Sequence, residues 1–266
     1  MAKLKDDPIT AQDLADFVNH DSDFAFEMRV LKQLRELGFE CSHSGTYRDP
    51  VTEKIRQYDI RAVKHQDQST LALAVECKNF RPNNPILLSA VPRTTPGAFD
   101  DLVVYNPEKI WELSVRHVTG NDSAYKPGGM VAKKTDQVGR DNSNVLVSND
   151  EAAFDKLNQA VNSCKDLIAQ PRFTGSSRQV KAIVPLLVVP TDLLWQVDYT
   201  SDGNLQTPPH AVSRSVLYLD HAWSVNSISG HTILYRLSHI EFATLGALPE
   251  IVSGYLGTDG FFPPSN

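Results

Sequence analysis

The chain has 266 residues, 41% of them hydrophobic, and a formal net charge of −6. This length and hydrophobic content suit a globular protein with a real core, as one large domain or two small ones. The acidic balance excludes a global basic field that would attract nucleic acid, although a local basic patch could still bind it.

A helix is predicted near the amino end, where capping residues at 21–23 precede it and Gly38 ends it. Four apolar residues form one stripe along this helix: Val30, Leu31, Leu34 and Leu37. Glu27 lies three and four residues before the first two of them, so it projects from the same inward stripe. A carboxylate that faces the core needs a partner, and a metal ion or Lys78 could supply it.

Residues 40–80 predict a three-stranded meander that brings acidic residues together. Asp59 lies in the second strand-like run, and Glu76 and Lys78 end the third. Side chains two apart on a strand share a face, so Glu76 and Lys78 are expected on one face with small alanines behind them. If the two strands are neighbours, Asp59 approaches Glu76 across the pair. Two carboxylates that close repel each other unless a cation lies between them, and Mg²⁺ prefers such oxygen ligands.

A structural explanation for the same residues stays open. A Glu-x-Lys pair is most often a surface ion pair, worth about 0–1 kcal/mol. Asp59 could equally form an ion pair with Arg56 or Arg61. Each of these residues alone is explained equally well without a metal ion. Only their combination, on matching faces and in this order, favours a metal site.

Regularity falls between about residues 81 and 149, where several prolines occur, and an irregular insertion is predicted there. Basic residues cluster near Gly128 and Gly129 in this region: Lys126, Lys133, Lys134 and Arg140. A basic loop with glycines could lie along a phosphate backbone. A solvated loop without a ligand explains the same residues equally well.

After the insertion, residues 151–170 predict a helix and residues 180–189 a strongly apolar strand. The apolar face of the helix is marked by Phe154, Leu157, Val161 and Leu167. A helix between two strands of one sheet places the later strand parallel to a neighbour. We therefore expect a core over residues 1–190, interrupted by the insertion, and a β-rich extension over 191–266 packed on the same domain.

The order of helix, three strands, helix and strand resembles the PD-(D/E)xK nuclease superfamily, which has the restriction-endonuclease-like fold. The matching residues are Glu27 in the helix, Asp59, and the run Glu76, Cys77 and Lys78. The resemblance covers roughly residues 20–80, and it departs from the family pattern in having a tyrosine rather than a proline before Asp59. It implies an α/β fold with an αβββαβ core, in which helices flank a central mixed sheet.

The resemblance also implies roles for these residues in Mg²⁺- or Mn²⁺-dependent hydrolysis. Asp59 and Glu76 would ligate the metal, with the backbone carbonyl of Cys77 as an additional ligand. Lys78 would be the catalytic lysine. Glu27 would be an accessory ligand of the metal or of its water.

The expected function is a divalent-metal-dependent endonuclease, acting on DNA more than on RNA, of the kind found in restriction, phage defence or repair. The alternative is a catalytically silent nuclease-fold module for nucleic-acid binding or protein assembly. No stretch approaches a membrane span, the first seven residues carry no apolar signal region, and the three cysteines form no paired motif. These features predict a cytoplasmic protein without a membrane partner. A one-site enzyme would need two subunits to cut both strands of a duplex, which leaves a homodimer open.

Overall fold

A computed structural model of the protein describes residues 7–106, 112–169, 179–226, 230 and 232–257. The helices are α1 (Ala11–His20), α2 (Asp23–Glu36), α3 (Glu151–Ala169) and α4 (Leu248–Leu256). The side chain of Ser22 caps α2 by accepting the Ala25 amide, and an apolar face of α2 packs into the core. Among the described residues, no helix is long and apolar enough to span a membrane.

The amino-terminal strands are β1 (Glu40–His43), β2 (Thr46–Arg48), β3 (Ile55–Gln57), β4 (Ile60–Gln66) and β5 (Ser69–Cys77). The central strands are β6 (Ile86–Pro92), β7 (Phe99–Asn106), β8 (Glu112–Thr119), β9 (Met130–Arg140) and β10 (Leu146–Ser148). The remaining strands are β11 (Gln179–Val189), β12 (Leu194–Tyr199), β13 (Leu205–Ala211), β14 (Arg214–Asn226) and β15 (Thr232–Thr244).

Thirteen of these strands form one mixed sheet, and β2 and β3 pair separately. The main path through the sheet is β1-β4-β5-β11-β15-β14-β9-β6-β12-β13. The predicted meander is present, since β4 pairs antiparallel with both β1 and β5, and β11 then lies parallel to β5 after α3. The fold is therefore a mixed α/β architecture dominated by strands, with few helices against a large sheet. The carboxyl-terminal strands belong to the same sheet, because β15 pairs with β11.

The region around residues 81–149 is not irregular as predicted, because it contains the strands β6 to β10. Pro85 directly precedes β6 and Pro92 is its last residue. Proline lacks a backbone donor but is tolerated at strand ends, so these prolines mark the limits of a strand rather than its absence.

Alternation along β5 divides the core between the two faces of the sheet. Ala72 and Ala74 face a cluster that includes buried residues of α3. Leu73, Val75 and Cys77 face a second cluster, which includes residues of α2 and α4. The small alanines leave room on the α3 side, the side that Glu76 shares by alternation.

Candidate functional site

Asp59 and Glu76 meet at one end of the paired strands β4 and β5. Asp59 immediately precedes β4, and Glu76 is the residue before the last of β5. The register pairs Ile60 with Val75, which places the two acids next to each other. The Asp59 amide donates to a Glu76 carboxylate oxygen at 3.4 Å, and the Cys77 amide donates to Asp59 Oδ2 at 2.7 Å. The proximity that the meander predicts is thus present.

Lys156 links the two acids. Its Nζ donates to Asp59 Oδ2 at 2.7 Å and to Glu76 Oε2 at 2.9 Å. Lys156 lies on α3 between the buried residues Ala153 and Leu157. Residues three and four apart share a helix face, so Lys156 projects toward the sheet beside them. The sequence prediction did not include this residue.

Burial dominates the electrostatics of Glu76, whose side chain is 0% exposed. Burial and the neighbouring charge of Asp59 raise the pKa of Glu76 to about 8, against the opposing effect of Lys156. Burial alone would lower the pKa of Lys156, but the two adjacent carboxylates raise it above its usual range. The ammonium therefore stays charged and acts as the counter-ion of the acidic pair.

Glu27 lies near the pair but has a partner that the sequence did not predict. Its Oε2 lies 3.1 Å from Nε2 of His43 on β1. Burial raises the pKa of Glu27, and the charge of Asp59 adds to this rise while His43 and Lys156 oppose it. Glu27 is thus electrostatically coupled to the site, and its direct contact is His43 rather than Lys78.

Lys78 contacts an acid on a different element. Its Nζ lies 2.6 Å from Asp23 Oδ2 at the start of α2, and the Asn79 amide donates to the other oxygen of Asp23 at 3.0 Å. Because β5 ends at Cys77, strand alternation does not hold Lys78 on the face of Glu76. The lysine that contacts both acids is Lys156, in place of the predicted Lys78.

Cys77 lies at the end of β5 with its side chain in the core between the sheet and α2. Its thiol is fully buried, and burial raises the pKa of that thiol well above the usual value. The predicted role of its backbone carbonyl as a metal ligand stays a prediction.

The site presents two carboxylates to one positive charge. Within the described ranges, no group of three or more His, Cys, Asp and Glu residues is positioned to hold a metal ion. The pair nevertheless suits a divalent cation, since Mg²⁺ is commonly bound through one or two carboxylates, with water and substrate phosphate as the other ligands.

The four predicted nucleic-acid-binding residues do not form one loop. Lys133, Lys134 and Arg140 lie on β9, and Lys126 precedes that strand. Lys134 forms an ion pair with Asp136 at 2.6 Å. The four side chains therefore differ in whether their positive charge is already paired with a carboxylate.

Among the described residues, Lys126, Lys133 and Arg140 form no ion pair with a carboxylate, and of the four only Lys134 does. The guanidinium of Arg140 donates to the carbonyl of Asn144 at 2.8 Å. Nζ of Lys133 lies 3.6 Å from the ring centroid of Tyr218, a cation–π contact. The contact of Lys133 with an aromatic ring leaves its positive charge available to an anion.

Comparisons with protein-family models, with curated proteins and with solved structures returned no match.

The raised pKa of Glu76 predicts how stability depends on pH. The folded protein keeps a proton on Glu76 up to about pH 8, whereas the unfolded chain loses it near the usual value of 4.5. The folded state then binds more protons, so the free energy of unfolding should fall as pH rises through this window. Urea unfolding between about pH 6.5 and 8 should show this fall in wild type and a smaller fall in Glu76→Gln. Titrations common to both proteins cancel in the difference, and identical slopes would contradict the assignment.

Proposed function

We propose that the protein is a divalent-metal-dependent nuclease that hydrolyses phosphodiester bonds of nucleic acid, DNA more than RNA. The observation that carries the proposal is the convergence of Asp59 and Glu76, from adjacent strands, on the single cationic group of Lys156. A buried carboxylate pair needs a cation, and a metal ion is the cation that would make such a pair catalytic.

The topology supports the proposal. The chain runs through α2, the antiparallel strands β1, β4 and β5, then α3 and the parallel strand β11. When β2, β3 and the strands β6 to β10 are set aside as insertions, this order agrees with the αβββαβ order that the resemblance to the PD-(D/E)xK superfamily implies. The two acids lie at the open end of the β4–β5 pair, opposite the turn that joins the two strands.

Asp59 and Glu76 are the residues that would hold the metal ion. When bound, a divalent cation supplies positive charge against the scissile phosphate and makes water more acidic. Asp59 is already oriented for this role, since the Cys77 amide fixes one of its carboxylate oxygens at 2.7 Å. A carboxylate fixed by the backbone needs little reorganisation to accept a ligand.

Lys156 is the residue that we assign to stabilise negative charge on the phosphate. Its ammonium has three donors, of which two are used by the acids. Glu27 and His43 form a second pair beside the site, and we propose that they orient water there. Lys78 stays a catalytic candidate from its motif, although its contact with Asp23 directs it to α2.

One observation favours the second candidate, a catalytically silent nuclease-fold module for nucleic-acid binding or assembly. Lys156 already neutralises both acids, so the site is a satisfied ion-pair network without a metal. Networks of this kind also occur as purely structural features. Three further expectations stay proposals that depend on the nuclease hypothesis. They are a cytoplasmic location, a role in restriction, phage defence or repair, and a homodimeric assembly.

The experiment that separates the two candidates is a cleavage assay on supercoiled plasmid and on single-stranded DNA and RNA. Each substrate is incubated with Mg²⁺, with Mn²⁺ and with EDTA. The nuclease proposal expects cleavage of DNA with either metal and none with EDTA. Intact substrates under every condition, with binding retained, would establish the silent module instead.

A further inference from the structure

A second cationic site lies away from the acidic pair, around Arg93. Arg93 comes directly after β6, and only 7% of the residue is exposed. The guanidinium donates to the carbonyls of Lys126 at 2.8 Å and Met130 at 3.5 Å. In the part of the chain that the structure describes, its Nε has no hydrogen-bond partner and no carboxylate lies within ion-pair distance. The ring centroid of Tyr125 lies 5.3 Å from the guanidinium carbon, and the carboxylates of Asp100 and Glu241 act on it from a longer distance. A buried guanidinium without a direct ion pair would still gain from an anion in contact with it.

Lys133 adds a second positive charge to this site. Arg93 and Lys133 both lie beside Tyr218: Nζ of Lys133 is 3.6 Å from the ring centroid of Tyr218, and a methyl group placed on Gly97 would lie 3.5 Å from Cε2 of Tyr218 and 3.7 Å from Cγ of Arg93. Partial burial and the charge of Arg93 lower the pKa of Lys133. Among the described residues, Lys133 has a cation–π contact with Tyr218 and no ion pair with an acid. Two neighbouring cations repel each other. An anion between them would reduce this repulsion and give each cation a direct ion pair, which neither has among the described residues.

A β-bulge explains why the side chains of Lys133 and Lys134 make different contacts. The pairing of β6 with β9 shifts between Ser89, which is opposite Lys134, and Ala90, which is opposite Ala132. Lys133 is the extra residue that has no partner on β6. A bulge redirects a side chain relative to the regular alternation. Lys133 thereby reaches Tyr218, while Lys134 forms its ion pair with Asp136.

His239 completes the surroundings without adding charge. It is 1% exposed, and both of its ring nitrogens lack a hydrogen-bond partner among the described residues. Its ring lies between Tyr125, at a centroid distance of 4.0 Å, and Tyr218, at 5.5 Å. Burial and the charges of Arg93 and Lys133 lower its pKa to about 2, so the imidazole is neutral and can donate one hydrogen bond.

We propose that Arg93 and Lys133 bind a phosphate group beside Tyr218. A guanidinium offers a planar fork of donors, and an ammonium offers a compact charge from another direction. A tetrahedral phosphate has enough oxygens to accept from both groups at once. A planar carboxylate could also accept from both groups, but its acceptor sites lie in one plane. Phosphate presents its oxygens in several directions and carries more charge, so phosphate chemistry suits two cations that approach from different directions better.

The sheet directions place this site at the same edge as the acidic pair. β11 and β15 run parallel to β5, β14 runs antiparallel to β15, β9 is parallel to β14, and β6 is antiparallel to β9. β6 therefore ends at the edge where β5 ends. Five strand spacings separate β5 from β6 along the sheet, a path of about 24 Å. A polynucleotide could reach both sites, a statement that rests on the proposed nuclease function.

The first test uses inorganic phosphate as the probe, at constant ionic strength and without metal. Wild type should melt at a higher temperature as phosphate replaces chloride, because phosphate binds the folded state. Lys133→Ala should weaken phosphate binding by about tenfold or more, since it removes a charge-assisted hydrogen bond. Lys134→Ala is the matched control, because its ammonium is already paired with Asp136. No phosphate effect in wild type, or equal effects in the two variants, would overturn the proposal.

The second test asks whether the phosphate belongs to a nucleic acid. Binding of a DNA oligonucleotide is measured in EDTA at several salt concentrations. For a backbone phosphate, Lys133→Ala should reduce the salt slope by about one, and Lys134→Ala should leave it unchanged. If Lys133→Ala loses only inorganic phosphate binding, the site takes a free phosphate and the polynucleotide source is overturned. Either result is independent of cleavage, so failure of the nuclease proposal would be recognised separately.

Discussion

Asp59→Asn and Glu76→Gln should each lower the rate of metal-dependent cleavage by roughly a hundredfold to a thousandfold. Each change removes a carboxyl group that could ionise and ligate the metal, while the shape of the side chain is kept. The hydrogen bond from the Cys77 amide to Asp59 should survive the first change, since an amide oxygen can still accept it. The measurement is the initial rate of plasmid nicking in Mg²⁺ and in Mn²⁺.

Glu241→Gln is the matched control for Glu76→Gln. Glu241 is equally buried on another strand of the sheet and forms an ion pair with Arg214 at 2.8 Å. Both variants perturb a buried ion pair, and thermal melts report how far each one does so. Only the change at Glu76 should remove cleavage beyond what its melting temperature explains. Loss of cleavage to the same extent in both variants would show that stability, not metal binding, is the cause.

Lys156→Ala should destabilise the protein by about 3–5 kcal/mol, because it leaves a buried carboxylate pair without its counter-ion. Mg²⁺ or Mn²⁺ should then raise the melting temperature of the variant more than that of wild type, since the metal no longer competes with the ammonium. Urea unfolding measures the loss, and melts with and without metal measure the recovery.

Lys78→Ala is the comparison for this experiment. The ion pair of Lys78 with Asp23 is part-exposed on both sides, so its loss should cost only about 0–1 kcal/mol. The motif predicts that Lys78→Ala abolishes cleavage, and the contacts assign that loss to Lys156→Ala. A variant of Lys156 with wild-type stability and wild-type cleavage would contradict the role given to this residue.

The meeting of Asp59 and Glu76 could be predicted from the sequence because it depends on local rules. The two strands are joined by a short turn, and a side-chain period of two fixes which residues share a face. Lys78 was misplaced by these same rules, since they apply only within the strand, and β5 ends at Cys77. The acid at the start of α2 that binds Lys78 lies far from it in sequence.

Lys156 could not be recognised because it lies at the edge of the buried face of α3, among apolar residues. Of the predicted apolar face, Leu157, Val161 and Leu167 are buried and Phe154 is exposed. The buried face also carries the small residues Ala153 and Ala160, which lie in the same core cluster as the alanines of β5. Small residues give a weak hydrophobic signal even where they allow close packing. Helix docking, rather than helix formation, decided which lysine reached the acids.

The strands between residues 81 and 149 were missed for a related reason. Some of their pairing partners are distant in sequence, as in the pairs of β6 with β12 and of β7 with β11, although β7 also pairs with β8 and β9 with β10. Prolines at the ends of β6 resembled the punctuation of a loop. Strand formation there depends on partners that local patterns do not reveal.

The most direct test of the central claim is a calorimetric titration of the wild-type protein and Asp59→Asn with Mn²⁺. The claim is that Asp59 and Glu76 form a divalent-cation site, and that in the metal-free protein the ammonium of Lys156 neutralises them instead of the metal. Wild type should bind Mn²⁺ in a saturable manner, and Asp59→Asn should bind it much more weakly while its melting curve shows a folded protein. Saturable binding that is equal in the two proteins, or no binding to wild type, would contradict the claim.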